Sequence, residues 1–162
     1  MKKNEEKTNV IRILEQNKIN FKVYNYINST AISGIEVADY LDEDYKIVFK
    51  TLVTIGKSGN HYVFLVPVNK ELDLKKAASV VGEKSIEMIR AKDLLPLTGY
   101  IHGGCSPVGM KKYFITVIDR SAKDQERIIF SGGKIGYQID TTLEELAKVI
   151  DYTLEDITKD KT

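Results

Sequence analysis

Two β-branched and aromatic runs constrain this chain more than anything else in it. Ile47 to Ile55 (IVFKTLVTI) and His61 to Val68 (HYVFLVPV) flank Gly56-Lys57-Ser58-Gly59-Asn60, so strand formers stand on either side of turn chemistry and predict a β-hairpin. A chain of 162 residues at 43% hydrophobic and 29% charged suits a globular domain with its own core. No apolar run approaches the roughly 20 residues that span a bilayer. The amino terminus (MKKNEEKTNV) lacks the apolar stretch of a secretory signal, and the single cysteine, Cys105, has no internal disulfide partner. A cytoplasmic protein with no membrane association is expected.

The flanking segments hold further elements. Glu5 to Asn17 carries Val10, Ile13 and Leu14 on one stripe and predicts an amphipathic helix. Phe21, Val23 and Ile27 fit a short strand, and Gly34 to Leu41 a second helix. Leu72 to Val81 is expected to be helical and to stop at Gly82, with further helical pieces over Ser85 to Leu95. A glycine-dense loop spans Gly99 to Gly109. Strands are expected at Phe114 to Ile118, Arg127 to Phe130 and Tyr137 to Asp140, and a closing helix over Thr142 to Ile150. No repeat or linker divides the chain, and no clean βαβ rhythm runs through it. The fold class is therefore α+β, one domain over residues 1–162 with a mixed, curled, partly open barrel-like sheet flanked by helices.

Familiar chemistries are excluded in turn. With Lys plus Arg at 24 against Asp plus Glu at 23, the net charge of +1 rules out bulk electrostatic binding of nucleic acid and leaves only a local patch. His61, His102 and Cys105 have no partner at metal-ligand spacing, and no cofactor fingerprint is present. Gly104 to Gly109 approaches a P-loop, but Met110 replaces the loop lysine and Pro107 interrupts it. Ser131-Gly132-Gly133-Lys134 spells S-x-x-K, yet that motif works on a helix, which paired glycines would break. A serine triad has no support from two histidines and no G-x-S-x-G. The expected chemistry does without a conventional nucleophile and base.

Three places remain. Alternation along the first strand puts Lys50 on one face with Val48, Leu52 and Thr54, a cation on a mostly apolar surface. Such a lysine either guards a sheet edge or lines a cavity where a ligand brings the anion. Gly103-Gly104-Cys105-Ser106-Pro107 and Ser131-Gly132-Gly133 are each either a tight turn or a cradle of exposed amides for an oxyanion or phosphate. Cys105 reads as a small residue tolerated in its loop, since a reactive thiolate needs an electropositive setting. The pairs Lys75-Lys76 and Lys111-Lys112 fit solvated surface or contact with an RNA backbone.

Taken together, Val48-Phe49-Lys50-Thr51-Leu52-Val53, Leu72-Asp73-Leu74-Lys75-Lys76, Thr98-Gly99-Tyr100, Gly103-Gly104-x-Ser106-Pro107, Lys111-Lys112 and Ser131-Gly132-Gly133-Lys134 resemble the YbaK-type aminoacyl-tRNA deacylases. Those share a fold with the editing domain inserted in bacterial prolyl-tRNA synthetases. The resemblance runs from about Asn17 to Ile150 in the family's order. It implies a trans-editing enzyme, a hydrolase or lyase acting on the ester of Cys-tRNA(Pro), with Cys-tRNA(Cys) as a second substrate of the family. Cysteine and proline are close in size, so a synthetase pocket separates them poorly and a second site is needed.

By the same resemblance, Lys50 holds the 3′-terminal adenosine end through its phosphate or stabilises negative charge near the ester. Thr51, Gly103, Gly104, Ser106, Pro107, Ser131, Gly132 and Gly133 bind the aminoacyl group and terminal nucleotide, and Tyr26 is an aromatic of the pocket or simply of the core. The substrate's own thiol would attack its ester while the protein orients groups and stabilises the oxyanion. The implied partners are the aminoacyl-tRNA acceptor end and prolyl-tRNA synthetase, with no metal and no cofactor. Gln138 stands where the family often has an aspartate, with Asp140 two residues on. Asn28 to Ile35 is short, Ser33 replaces a bulkier residue and Cys105 fills a variable position, all of which bear on amino-acid specificity. Two alternatives stay open: a deacylase of another small amino acid, such as alanine, that activates water, and a non-catalytic module that binds tRNA or a synthetase.

Overall fold

The computed structural model describes residues 7–161. At its centre is the expected hairpin, β2 (Phe49–Gly56) with β3 (His61–Pro67), in a register that sets Lys50 opposite Val66 and Ile55 opposite His61. The side chains of β3 divide by parity: Val63 and Leu65 enter one core, Tyr62, Phe64 and Val66 the other, and all five are buried. Both faces of the strand are therefore covered. Preceding the hairpin are α1 (Asn9–Gln16), β1 (Lys22–Asn25) and α2 (Gly34–Tyr40). The α1 helix starts at Asn9 after the Thr8 cap and packs Val10, Ile11 and Leu14 inward; of the expected start from Glu5, Lys7 and Thr8 stand outside the helix, and Glu5 and Glu6 lie outside the described residues. A capping box between Ser33 and Glu36 starts α2.

After the hairpin come β4 (Lys70–Leu72), α3 (Leu74–Val81), β5 (Ile86–Met88), α4 (Ala91–Thr98) and β6 (Ile115–Asp119). Asp73 caps α3 through the Lys75 and Lys76 amides, and Gly82 ends it in the left-handed conformation, φ 74°. The chain closes with β7 (Ile128–Ser131), β8 (Tyr137–Thr141), α5 (Leu143–Leu146), β9 (Thr153–Glu155) and β10 (Thr158–Asp160). A five-stranded mixed sheet runs β5-β2-β3-β6-β9, antiparallel up to β3 and parallel beyond it. An antiparallel sheet β1-β8-β7 meets it through one bridge, Val48 to Ile129, while β4 and β10 form a two-stranded ribbon. The architecture is α+β with mixed, incompletely closed sheets flanked by helices, as expected.

Three local expectations are corrected. Ser85 to Leu95 is helical only from Ala91 onward: Ile86–Met88 pairs with β2, with Ile86 opposite Gly56 and buried in the core beside Phe64, so edge-strand pairing overrides helix propensity there. The closing helix is four residues long, and tight turns from Lys148 to Ile150 replace the rest. The strands β9 and β10 follow where no element was expected. Both are three residues long and carry charges, and they are fixed by Ile157 between them, whose side chain is fully buried beside Phe64 and Val117. Its N–H donates to Asp119 Oδ1 at 3.2 Å and its carbonyl accepts from Asp73 at 2.8 Å. Truncation by Ile157→Ala is expected to cost about 2–5 kcal/mol. Urea unfolding would register it as a lower midpoint at an unchanged slope.

Candidate active site

The bridge from Val48 to Ile129 ties the start of β2 to β7, and Ile129 N–H donates to the Ile47 carbonyl at 2.7 Å. Just past that tie, a cavity of about 480 Å³ opens between β2, the start of α2, the loop after α4 and the ends of β7 and β8. Lys50, Thr51, Tyr26, Gly103 and Ser131, five of the residues singled out in the sequence, line it together, with Ser33, His102, Cys105, Gln138 and Lys161 beside them. Lys50 is half-buried, and among the described residues no carboxylate stands within ion-pairing distance of it. Burial pushes its pKa below the ordinary lysine value; the nearby Lys161 charge adds to this and Glu71 opposes it.

The wall around that cation is polar at selected points. Thr51 Oγ1 and Gln138 Oε1 are buried with no hydrogen-bond partner in the protein, a costly condition that a polar ligand relieves. Ser131 Oγ accepts from the Gly133 amide at 3.2 Å, which leaves the hydroxyl proton to donate elsewhere. Tyr26 is 4% exposed, and its amide donates to the Gly136 carbonyl at 2.8 Å, so its ring is both core and cavity wall.

The two glycine motifs do more packing than ligand presentation. Gly103 lies on the cavity with φ 86°, where a Cβ would stand 3.0 Å from Ile32. Gly104 is off the wall: a Cβ there would meet the Lys134–Ile135 backbone at 3.1–3.2 Å, so the first motif rests backbone to backbone on the turn that follows the second. The Gly104 amide donates to Ile101 and the Gly132 amide to Tyr137, and the Gly133 amide is the one held by Ser131. Ser106 is fully buried with its Oγ accepting from Val108, and Pro107 lines a separate cavity beside Lys111, Lys112 and Lys148. Gly104, Ser106, Pro107, Gly132 and Gly133 therefore shape the loops and do not face the cavity.

Cys105 faces it as a neutral group, because burial pushes its thiol up to about 12 against an opposing hydrogen bond from Thr98. Glu43 was not legible in the sequence, where it sits in an acidic run, Asp42-Glu43-Asp44, that resembles solvated surface. Its carboxyl is buried behind Gln138, the two groups adjoining without a full hydrogen bond. Burial raises it to about 7, Gln138 opposes the rise, and the Asp140 charge adds to it. Asp140 itself is taken by Arg127 and by the Tyr24 hydroxyl at 2.7 Å. Among the described residues, no group of three or more His, Cys, Asp or Glu side chains could hold a metal ion.

Residues 31–149 match the family model for the aminoacyl-tRNA editing domain. EbsC of Enterococcus faecalis, a proposed Cys-tRNA(Pro)/Cys-tRNA(Cys) deacylase, is 42% identical over 158 residues, 97% of this chain and 96% of that protein. A proline–tRNA ligase of Thermosipho melanesiensis is 33% identical over 110 residues, 67% of this chain but 19% of the ligase. Among solved structures, a proposed trans-editing enzyme for prolyl-tRNA synthetase shares the fold, with a TM-score of 0.78 at 23% identity over 94% of this chain and 98% of the other.

Two outcomes are expected. A carboxyl at about 7 in the folded state and an ordinary 4.5 when unfolded keeps a proton that the unfolded chain gives up. Its contribution to stability is therefore greatest below the unfolded value and declines as pH rises through that window. In urea titrations across it, Glu43→Gln should unfold with a smaller pH dependence than the wild type. Gly104→Ala must push two backbones apart, and a loss of about 1–3 kcal/mol is expected in the same assay.

Proposed function

Because this chain belongs to the aminoacyl-tRNA editing domain family, we propose that it is a trans-acting deacylase. In this reading the whole chain is one cytoplasmic deacylase domain that removes cysteine from Cys-tRNA(Pro) and, with looser tRNA choice, from Cys-tRNA(Cys). The observation that carries it is the unpaired, half-buried Lys50 on a cavity wall where, among the described residues, His102 makes no hydrogen bond to Ser131 or Cys105 that would form a nucleophile–base pair. Similarity to EbsC and to proline–tRNA ligases supports the substrate class, and the latter supports a working relation with prolyl-tRNA synthetase.

The chemistry follows from what the wall contains. A cysteinyl ester brings its own thiolate, whose sulfur adds to the ester carbonyl carbon. The bond from that carbon to the ribose oxygen breaks, and the oxygen leaves with a proton as the tRNA hydroxyl. The cysteinyl group departs as a small cyclic thioester that water opens. The protein then has to hold the ester in a productive geometry and stabilise the oxyanion. Lys50 supplies the positive charge, and the Ser131 and Thr51 hydroxyls and the Gln138 amide supply orientation. With Cys105 neutral, the wall presents no competing sulfur nucleophile.

The test is deacylation of Cys-tRNA(Pro), Ala-tRNA(Pro) and Ser-tRNA by the wild type and by Lys50→Ala. Loss of the cysteinyl ester alone is expected, with the variant slower by at least about 10²-fold, the effect of removing a group that stabilises developing charge. Hydrolysis of alanyl or seryl esters would replace thiol assistance with an activated water. No hydrolysis by the wild type would leave a tRNA-binding module in place of an enzyme.

A further inference from the structure

Part of the cavity rim comes from outside the matched family segment of residues 31–149. In β10, Thr158 pairs with Leu72 and Asp160 with Lys70 of β4, and the Asp160 carboxylate is held by the Lys70 ammonium. The Lys76 ammonium fixes the approach, 3.1 Å from Asp156 Oδ1 and 2.8 Å from the Thr158 carbonyl. With Ile157 buried beneath, the strand is anchored at both ends, and the next residue, Lys161, reaches the rim of the cavity that contains Lys50.

That arrangement brings two ammonium groups to one cavity. Asp160 is committed to Lys70, and Glu71, the carboxylate whose charge favours ionised Lys50, makes no ion pair with it. Like charges converging on a partly desolvated space repel each other, and an anion between them turns the repulsion into attraction on both sides. Apart from the thiolate that the reaction itself consumes, the end of an aminoacyl-tRNA carries its negative charge in one kind of group. Adenine and ribose are neutral and the amino acid's α-amino group is neutral or positive, so only the phosphodiesters can answer two lysines. A compact ammonium binds phosphate as a point charge, from any side.

We propose that Lys161, carried by the strap β9–β10, forms with Lys50 a two-lysine clamp on a phosphodiester at the 3′ end of the substrate. This rests on the deacylase reading and assigns Lys161 to binding alone, while Lys50 serves both the phosphodiester and, as in that reading, the developing oxyanion. The clamp also orients the substrate: with phosphate drawn to the lysines, the positively charged amino group is directed away from them.

The experiment compares steady-state deacylation by the wild type, Lys161→Ala, Lys161→Arg and Lys57→Ala. Lys57 is an exposed lysine in the turn at the far end of the β2–β3 hairpin, so its removal repeats the charge change away from the cavity. Each enzyme is given Cys-tRNA(Pro) and cysteinyl-adenosine, which keeps the ester and lacks the phosphates. For Lys161→Ala, KM for the tRNA should rise about 10-fold with kcat nearly unchanged. The slope of log KM against log salt should become shallower by about one. Lys161→Arg should recover most of the KM, Lys57→Ala should match the wild type, and cysteinyl-adenosine should be hydrolysed equally by all four. An unchanged KM for the tRNA in Lys161→Ala, or an equal loss on cysteinyl-adenosine, would overturn the clamp. If the wild type hydrolyses neither ester, the deacylase reading itself fails. Binding of uncharged tRNA then decides the clamp, and equal affinities for wild type and Lys161→Ala would sink it.

Discussion

Strand β3 sends Val63 and Leu65 into one core and Phe64 and Val66 into another, and none of the four is exposed. Leaving such side chains in water would cost about 1.5–3 kcal/mol each, so the chain has to roof the strand twice. On one side the roof is α1 with the β1-β8-β7 sheet; on the other it is α3 with the C-terminal strap and its buried Ile157. Most of the chain's irregular order follows from this need, including the parallel return of β6 and β9 beside β3. Where the two roofs part, at the Lys50 end of β2, the cavity opens.

The charges around that opening are arranged asymmetrically. One side carries Lys50 and, from the strap, Lys161. Behind Gln138, burial raises the Glu43 carboxyl to about 7, while Asp140 close by stays occupied by Arg127 and Tyr24. An aminoacyl-tRNA terminus is itself polar in the same sense, phosphate at one end and amine at the other. Such a site has part of its selectivity built into its field before any side chain measures the size of the amino acid.

How much of this was legible depended on whether a signal was local. The hairpin announced itself through β-branched density, and α3 through acids ahead of lysines and the stop at Gly82, while its cap at Asp73 came only from the structure. Period-two alternation singled out Lys50 as a cation on an apolar face, although the residues alone favoured an edge guard over a cavity wall. The glycine motifs were visible as turns, but their meeting was not: the contact of Gly104 with the Lys134–Ile135 backbone joins loops thirty residues apart and leaves no local mark. Ile86–Met88 and the two C-terminal strands were missed because three-residue, charge-interrupted strands borrow their stability from a neighbour. Glu43 was unreadable for a related reason, since an acid in an acidic run reveals its burial only when Gln138 is packed over it.

The neutral thiol of Cys105 has a consequence for how such a protein withstands its own ligands. In the proposed reading, a cysteinyl group in the cavity brings a second sulfur beside Cys105, and oxidation traps two neighbouring sulfurs as a mixed disulfide. Exchange and oxidation both proceed through the thiolate. With the thiol pushed up to about 12, almost none of it is thiolate at neutral pH. Burial, which makes Cys105 a poor nucleophile, also makes it a poor target for peroxide and, in the proposed reading, spares the pocket covalent attachment to its substrate's sulfur.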